Sequence, residues 1–250
     1  MTSLSPNSPR DNEVLGIVLD ADGVLWKANT IQLFGAFLPV KNTFQDLGRQ
    51  LEEDPYKGEE IFSQAMGLLK GYSLDRYHEA CRYAIHNAEP RKNLNAELIA
   101  IKSLVNHIGV ISGSLRTILE GLLDLNLFNF WACNDLVIGP DGRLSGDSHG
   151  VLCVNHEVIN LNYSITLPWH KSKVLSIALD MLGASPENFA AVGHEVIDQE
   201  VLSMVGYPIT PGNANSEIQD LVKSKHGLIL EKLELKEIQK AILISRDSSP

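Results

Sequence analysis

A short apolar run that stops abruptly at paired acids constrains this chain more than any other feature. Val14 to Leu19 is nearly continuous aliphatic sequence of β-branched character, and Asp20-Ala21-Asp22-Gly23 follows it directly. A strand apolar on both faces belongs in the middle of a parallel sheet covered by helices on either side. In such sheets ligands sit beyond the carboxyl ends of the strands, which is where the acids fall.

After this strand the texture becomes helical. Phe44, Leu47 and Leu51 keep helical spacing, as do Ile61, Ala65, Leu68 and Leu69, and then Leu74, Tyr77, Cys81, Ala84 and Ile85. Three amphipathic helices with no strand between them make residues 32–90 a small all-helical insert. Alternating βα texture then returns. A helix through Leu94, Leu98, Ile101 and Leu104 precedes a strand at His107–Ile111, and a further helix carries Leu115, Ile118, Leu119 and Leu122. A strand near 128–133 enters a hairpin turning at Gly139-Pro140-Asp141-Gly142. Residues 150–170 read as extended. A helix follows from Lys171 to Leu182, then a strand at Phe189–Val192, another helix, a strand near Pro208–Thr210 and a last helix through Leu235, Ile238 and Ile242. The expected fold class is α/β: a Rossmann-like parallel sheet with helices on both faces, plus the helical insert after the first strand. Residues 14–31 and 91–250 form the α/β core, and residues 1–13, rich in Ser, Pro and Asn, read as a flexible tail.

Bulk properties narrow the partners. A formal net charge of -10 opposes binding to nucleic acid or an anionic membrane surface. No apolar stretch approaches the roughly 18 residues of a membrane span. Three dispersed cysteines, Cys81, Cys133 and Cys153, suit a reducing compartment, so the expected location is cytoplasmic. A local cationic pocket could still take a small anion.

Four short segments carry candidate chemistry. Asp20 and Asp22, two residues apart, leave the strand on the same side and would repel one another unless a cation or a shared proton intervened. Mg2+ suits such a pair, one carboxylate attacking phosphorus and the other shuttling a proton; a solvated Asp/Gly turn would show the same letters. Ser112, with Gly113 behind it, follows a strand and precedes a helix, where a hydroxyl can bind a phosphate or simply cap the helix. Lys171 opens its helix against the dipole, a placement that favours an anion nearby, and Lys173 competes for the role. Asp198 follows the Gly193 turn, where a carboxylate can complete a metal shell.

Taken in order, the series hhhDxDG, hhhSG, a helix-opening lysine and hhGxxxxD resembles the four motifs of the haloacid dehalogenase (HAD) superfamily. Met66-Gly67-Leu68-Leu69-Lys70-Gly71, Val110-Ile111-Ser112-Gly113, Cys133-Asn134-Asp135-Leu136 and Pro211-Gly212-Asn213-Ala214 are similar to its phosphoserine phosphatase-like branch. The resemblance implies an Asp20 nucleophile, Asp22 as general acid and base, and phosphate held by Ser112, Gly113 and Lys171. It implies Mg2+ bound by Asp20, the backbone carbonyl of Asp22 and the fourth motif, where Asp198 offers a carboxylate and the neighbouring Glu195 could also reach the ion. The helical insert becomes a C1-type cap. The expected function is a Mg2+-dependent phosphatase acting on a small phosphorylated metabolite. A weakened relative that binds such a ligand without turnover is the alternative, and a phosphomutase would keep the same residues.

Three departures stand out. Asn29 and Ala65 occupy positions where phosphoserine phosphatases carry a Glu and an Arg that grip the amino acid, which removes two charge-assisted contacts. His194 stands where the fourth motif has its first Asp. Imidazole is a poorer ligand for Mg2+ than for Mn2+ or later ions, so Mn2+ or another divalent ion enters as a second expectation.

Overall fold

A computed structural model describes residues 14–247, so the tail expected at 1–13 lies outside the described residues. The chain opens with strand β1 (Gly16–Leu19) and passes through helices α1 (Thr30–Ala36), α2 (Lys41–Glu53), α3 (Gly58–Gly67), α4 (Leu74–Asn87) and α5 (Leu94–Leu104). Strand β2 (His107–Leu115), α6 (Arg116–Leu122) and β3 (Phe130–Ile138) follow, then the strands β4 (Leu144–Val154) and β5 (Glu157–Asn160). The remainder alternates: α7 (Pro168–Leu182), β6 (Phe189–Val192), α8 (Gln199–Met204), β7 (Tyr207–Pro211), α9 (Ser216–Ser224), β8 (Leu228–Leu230) and α10 (Leu235–Asp247).

The strands form one eight-stranded sheet in the order β5-β4-β3-β2-β1-β6-β7-β8. β1 lies inside it, parallel to β2 on one side and β6 on the other. Its four residues are all buried. Ile17 and Leu19 join an apolar cluster with α5 and α10, whereas Val18 joins a second cluster with α7, α8 and α9. One strand thus feeds two helix layers, which is why its sequence shows no polar alternation. Gly16 and Gly109 sit opposite Phe189 and Phe130 in the neighbouring strands, and a Cβ on either glycine would strike the facing ring within 2.2 Å.

The α/β expectation holds, with the sheet mostly rather than wholly parallel. β4 runs antiparallel to β3, and β5 antiparallel to β4, because both connections are tight hairpins. The second turns at Asn155 and His156, whose φ values of 48° and 70° suit a primed turn. Strands β5 and β4 therefore fill part of the 150–170 stretch.

Four helices, not three, occupy the insert. The short α1 begins where Asn29 caps it by accepting from Gln32 N at 3.0 Å. These helices enclose their own apolar cluster, with Phe34, Phe44, Ile61, Met66, Leu69 and Tyr77 packed beside Leu115, Ile118, Leu136 and Leu144 of the sheet region.

Candidate active site

β1 delivers Asp20 to the carboxyl edge of the sheet, where its backbone N–H donates to Val192 O of β6 at 3.0 Å. Lys171 reaches the same point from the first turn of α7. Its Nζ donates to Asp20 Oδ1 at 2.8 Å and to Asp198 Oδ1 at 2.7 Å. All three side chains are almost sealed from water. Asp198 closes the loop after β6 on itself: its Oδ2 accepts from His194 N at 2.9 Å and Glu195 N at 3.2 Å. Lys173, the competing lysine, points elsewhere, with Nζ 4.8 Å above the Tyr163 ring.

Two local expectations change. The α7 helix starts at Pro168, so Lys171 completes its first turn rather than opening it; a proline at the first helical position gives up no needed N–H. Ser112 is not a helix cap. β2 runs on, with a register irregularity between Ile111 and Leu115, and Leu115 precedes α6. Ser112 Oγ instead accepts from Ser114 N at 3.0 Å. The carbonyl of Gly113 accepts from Asn134 Nδ2 at 2.8 Å, while Asn134 Oδ1 accepts from Ile165 N at 2.6 Å. One buried amide thus ties the end of β2 to the segment entering α7.

Asp22 belongs to a separate branch of the network. Its carboxylate accepts from Trp26 Nε1 at 2.5 Å, Thr30 N at 3.0 Å and Thr30 Oγ1 at 2.9 Å. Thr30 Oγ1 also meets Ser114 Oγ at 2.7 Å, which connects Asp22 through Thr30 and Ser114 to Ser112. Thr30 and Ser114 join the site although no sequence motif marks them, and Asn134, which lies within the Cys133–Leu136 motif, has no role assigned from it. The paired serines of Ser112-Gly113-Ser114 and the polar Asn134 inside an apolar strand are the available signals.

Electrostatics follow from burial around these charges. Desolvation, with Asp198 beside it, raises Asp20 to about 7 despite the pull of Lys171 and His194. Burial also raises Asp22, partly offset by the donors Trp26 and Thr30. Burial acts upward on Asp198 too, but Lys171 and His194 outweigh it and hold that carboxyl below its usual range. For Lys171, burial favours the neutral amine and is overcome by the two carboxylates, so its pKa is raised. Burial likewise works against charge on His194, yet Glu195, Asp20 and Asp198 lift it to about 9.

Among the described residues, ligand atoms of Asp20, His194 and Asp198 lie within 4.8 Å of one another, a spacing that can hold a metal ion. His194 Nδ1 is buried and has no hydrogen-bond partner. It lies 3.8 Å from Asp20 Oδ2 and 4.0 Å from Asp198 Oδ2. Two carboxylate oxygens and an unpartnered imidazole nitrogen converging on one point fit a divalent cation. The side-chain carboxylates of Asp22 and Glu195 fall outside this group.

Comparison of the whole fold places it among known structures. A substrate-bound phosphoserine phosphatase complex matches with a TM-score of 0.71 and 20% identity, over 91% of this chain and 98% of that one. The chain has a HAD-like, phosphoserine phosphatase-like fold. A phospho-aspartyl intermediate analogue of phosphoserine phosphatase superimposes at TM-score 0.69 and 20% identity, over 91% of this chain and 98% of its own. A HAD family hydrolase from Salmonella enterica serovar Typhi gives 0.71 at 18% identity, over 93% of this chain and 73% of its own. No protein-family profile matches the sequence, and no curated protein matches it. Among the described residues, no helix is long and apolar enough to cross a membrane.

Proposed function

We propose that this chain is a divalent-cation-dependent phosphatase that hydrolyses a small-molecule phosphate monoester through an aspartyl-phosphate. The observation that carries the reading is the Asp20–Lys171–Asp198 cluster at the end of a central strand, with a second acid, Asp22, two residues on. The fold likeness to phosphoserine phosphatases and a HAD hydrolase supports it.

In this reading Asp20 attacks phosphorus as its carboxylate. The phosphorus–oxygen ester bond breaks, and protonated Asp22 gives its proton to the departing alkoxide. Water then attacks the phosphorus of the aspartyl-phosphate and yields its proton to Asp22, which releases inorganic phosphate and restores Asp20. Burial keeps Asp22 higher than an ordinary carboxyl, which suits a group that must be proton donor and acceptor in turn. Lys171, Ser112 and the Gly113 backbone hold phosphate oxygens. Mg2+, Mn2+ or a related ion, held by Asp20, Asp198 and the 194–195 segment, supplies charge neutralisation between nucleophile and phosphate when bound.

The helices of residues 32–90 act as the cap over the substrate. Phosphoserine itself is disfavoured, because Asn29 is occupied in capping α1 and Ala65 is buried and uncharged. Trapping a phosphoryl adduct on Asp20 by rapid acid quench and mass spectrometry, lost in Asp20→Asn, tests the mechanism. Binding of phosphate esters with no adduct and no release of inorganic phosphate would favour the non-turnover alternative, for which His194 is the supporting residue.

A further inference from the structure

The ring of His194 is held in a restricted orientation. It packs over Gly23, where an added Cβ would lie 2.3 Å from its Cε1 and Nε2. Nε2 faces Glu195 Oε1 at 3.4 Å, on the far side of the ring from Nδ1. A carboxylate facing Nε2 favours the tautomer with the proton on that nitrogen, which leaves a lone pair on Nδ1. That nitrogen lies 3.8 and 4.0 Å from Asp20 Oδ2 and Asp198 Oδ2, too far for hydrogen bonds. Once deprotonated, three electron-rich atoms this close repel one another unless a cation lies between them. An ion bound at roughly 2.0–2.2 Å spaces its neighbouring ligands by roughly 3–3.5 Å. A contraction of about 0.3–0.5 Å would bring Nδ1 and each of the two carboxylate oxygens into that range.

We propose that His194 is a metal ligand through Nδ1, that Glu195 is its positioning residue rather than a ligand, and that the mixed nitrogen and oxygen donor set selects a borderline first-row ion over Mg2+. The proposal rests on the phosphatase reading for the expectation that this cleft holds an ion at all. Mg2+ is a hard ion that favours an all-oxygen shell, whereas Mn2+, Co2+ and Zn2+ accept imidazole with rising affinity. Asp198 Oδ2 already accepts two backbone N–H groups and Asp20 Oδ2 accepts none, so Asp20 and His194 are the principal donors. In this arrangement Glu195 accepts from Nε2–H and raises the basicity of Nδ1.

Direct metal titration of the whole chain tests this without reference to turnover. Calorimetric competition among Mg2+, Mn2+, Co2+ and Zn2+ should show His194→Asp lowering the Co2+-over-Mg2+ affinity ratio by about tenfold or more. Glu195→Gln should weaken Co2+ binding by about tenfold. Proton NMR of the Co2+-loaded parent needs no variant: a paramagnetically shifted, exchangeable Nε2–H resonance supports Nδ1 ligation. No such resonance, or an unchanged ratio in His194→Asp, overturns the proposal. If the resonance appears and no phosphoryl adduct forms on Asp20, the metal assignment stands and the phosphatase reading falls. If an adduct forms on Asp20 but the Co2+-over-Mg2+ ratio ignores His194→Asp, the phosphatase reading stands and the metal assignment falls.

Discussion

Nζ of Lys171 lies 2.8 Å from Oδ1 of Asp20, and the two side chains retain only 3% and 8% of their exposure. The lysine compensates two buried carboxylates at once, so removing it and removing one acid should have unequal effects. Lys171→Met leaves Asp20 and Asp198 facing each other without the ammonium between them and should cost about 3–5 kcal/mol in urea unfolding. Asp20→Asn keeps the Lys171–Asp198 pair and deletes a desolvated charge. It should abolish hydrolysis while unfolding at no lower urea concentration than the parent in chelator.

Stability of the metal-free protein should decline as pH rises. Asp20 is raised from 3.8 to about 7 on folding, so its contribution is present below pH 3.8 and is lost as pH passes through 7. His194 is raised from 6.5 to about 9, so its share is present below 6.5 and is lost as pH rises through 9. Thermal melts in chelator should therefore fall steadily from about pH 5 to 9. A divalent cation should stabilise most at the alkaline end, because it replaces the bound protons. A melting temperature that climbs with pH in chelator would contradict the assignment of these two groups.

Thr30 donates to Asp22 from both its backbone and its hydroxyl. Thr30→Val removes the hydroxyl bonds to Asp22 and Ser114, at an expected cost of about 1–3 kcal/mol. Losing a donor to the carboxylate should raise Asp22 further above its usual value. The acidic limb of the kcat–pH profile, which requires ionised Asp22 to accept a proton from water, should then move to higher pH. An unshifted limb with lowered kcat would assign Thr30 a purely structural part.

Gly23 adopts φ of +74° beneath the His194 ring. Gly23→Ala meets both left-handed strain and a collision with the imidazole, and should destabilise the fold by about 1–3 kcal/mol. Divalent metal affinity should fall with it, since the ring must swing away from Asp20. Calorimetry on the same variant reads both effects.

Much of this arrangement is legible in the sequence, for identifiable reasons. β1 and β6 are buried on both faces and show as unbroken apolar runs, and Asp20 and Asp198 lie in the segments beyond them. Lys171 is legible as a cation in an unfavourable place at a helix start. α1 is not, because it spans only seven residues, too few to establish a period. β8 escapes as a three-residue edge strand. Asn134, Thr30 and Ser114 are invisible as a network because hydrogen bonds across 31 or 84 positions of chain leave no local pattern. The orphaned nitrogen of His194 likewise depends on the ring's orientation over Gly23, which no spacing encodes.

The two crossings between β1 and the helical insert run side by side. Lys27 N donates to Glu89 O and Ala28 N to Ala88 O, both at 3.2 Å, while Arg91 reaches back to the carbonyls of Gly23 and Val24. This doubled ribbon emerges between Trp26 and Thr30, the two residues that grip Asp22. A swing of the helices would pivot on that ribbon and pull on the carboxylate at its root. In the phosphatase reading, admission of a substrate and the readiness of Asp22 would be geared to one another through this one junction of chain and hydrogen bonds.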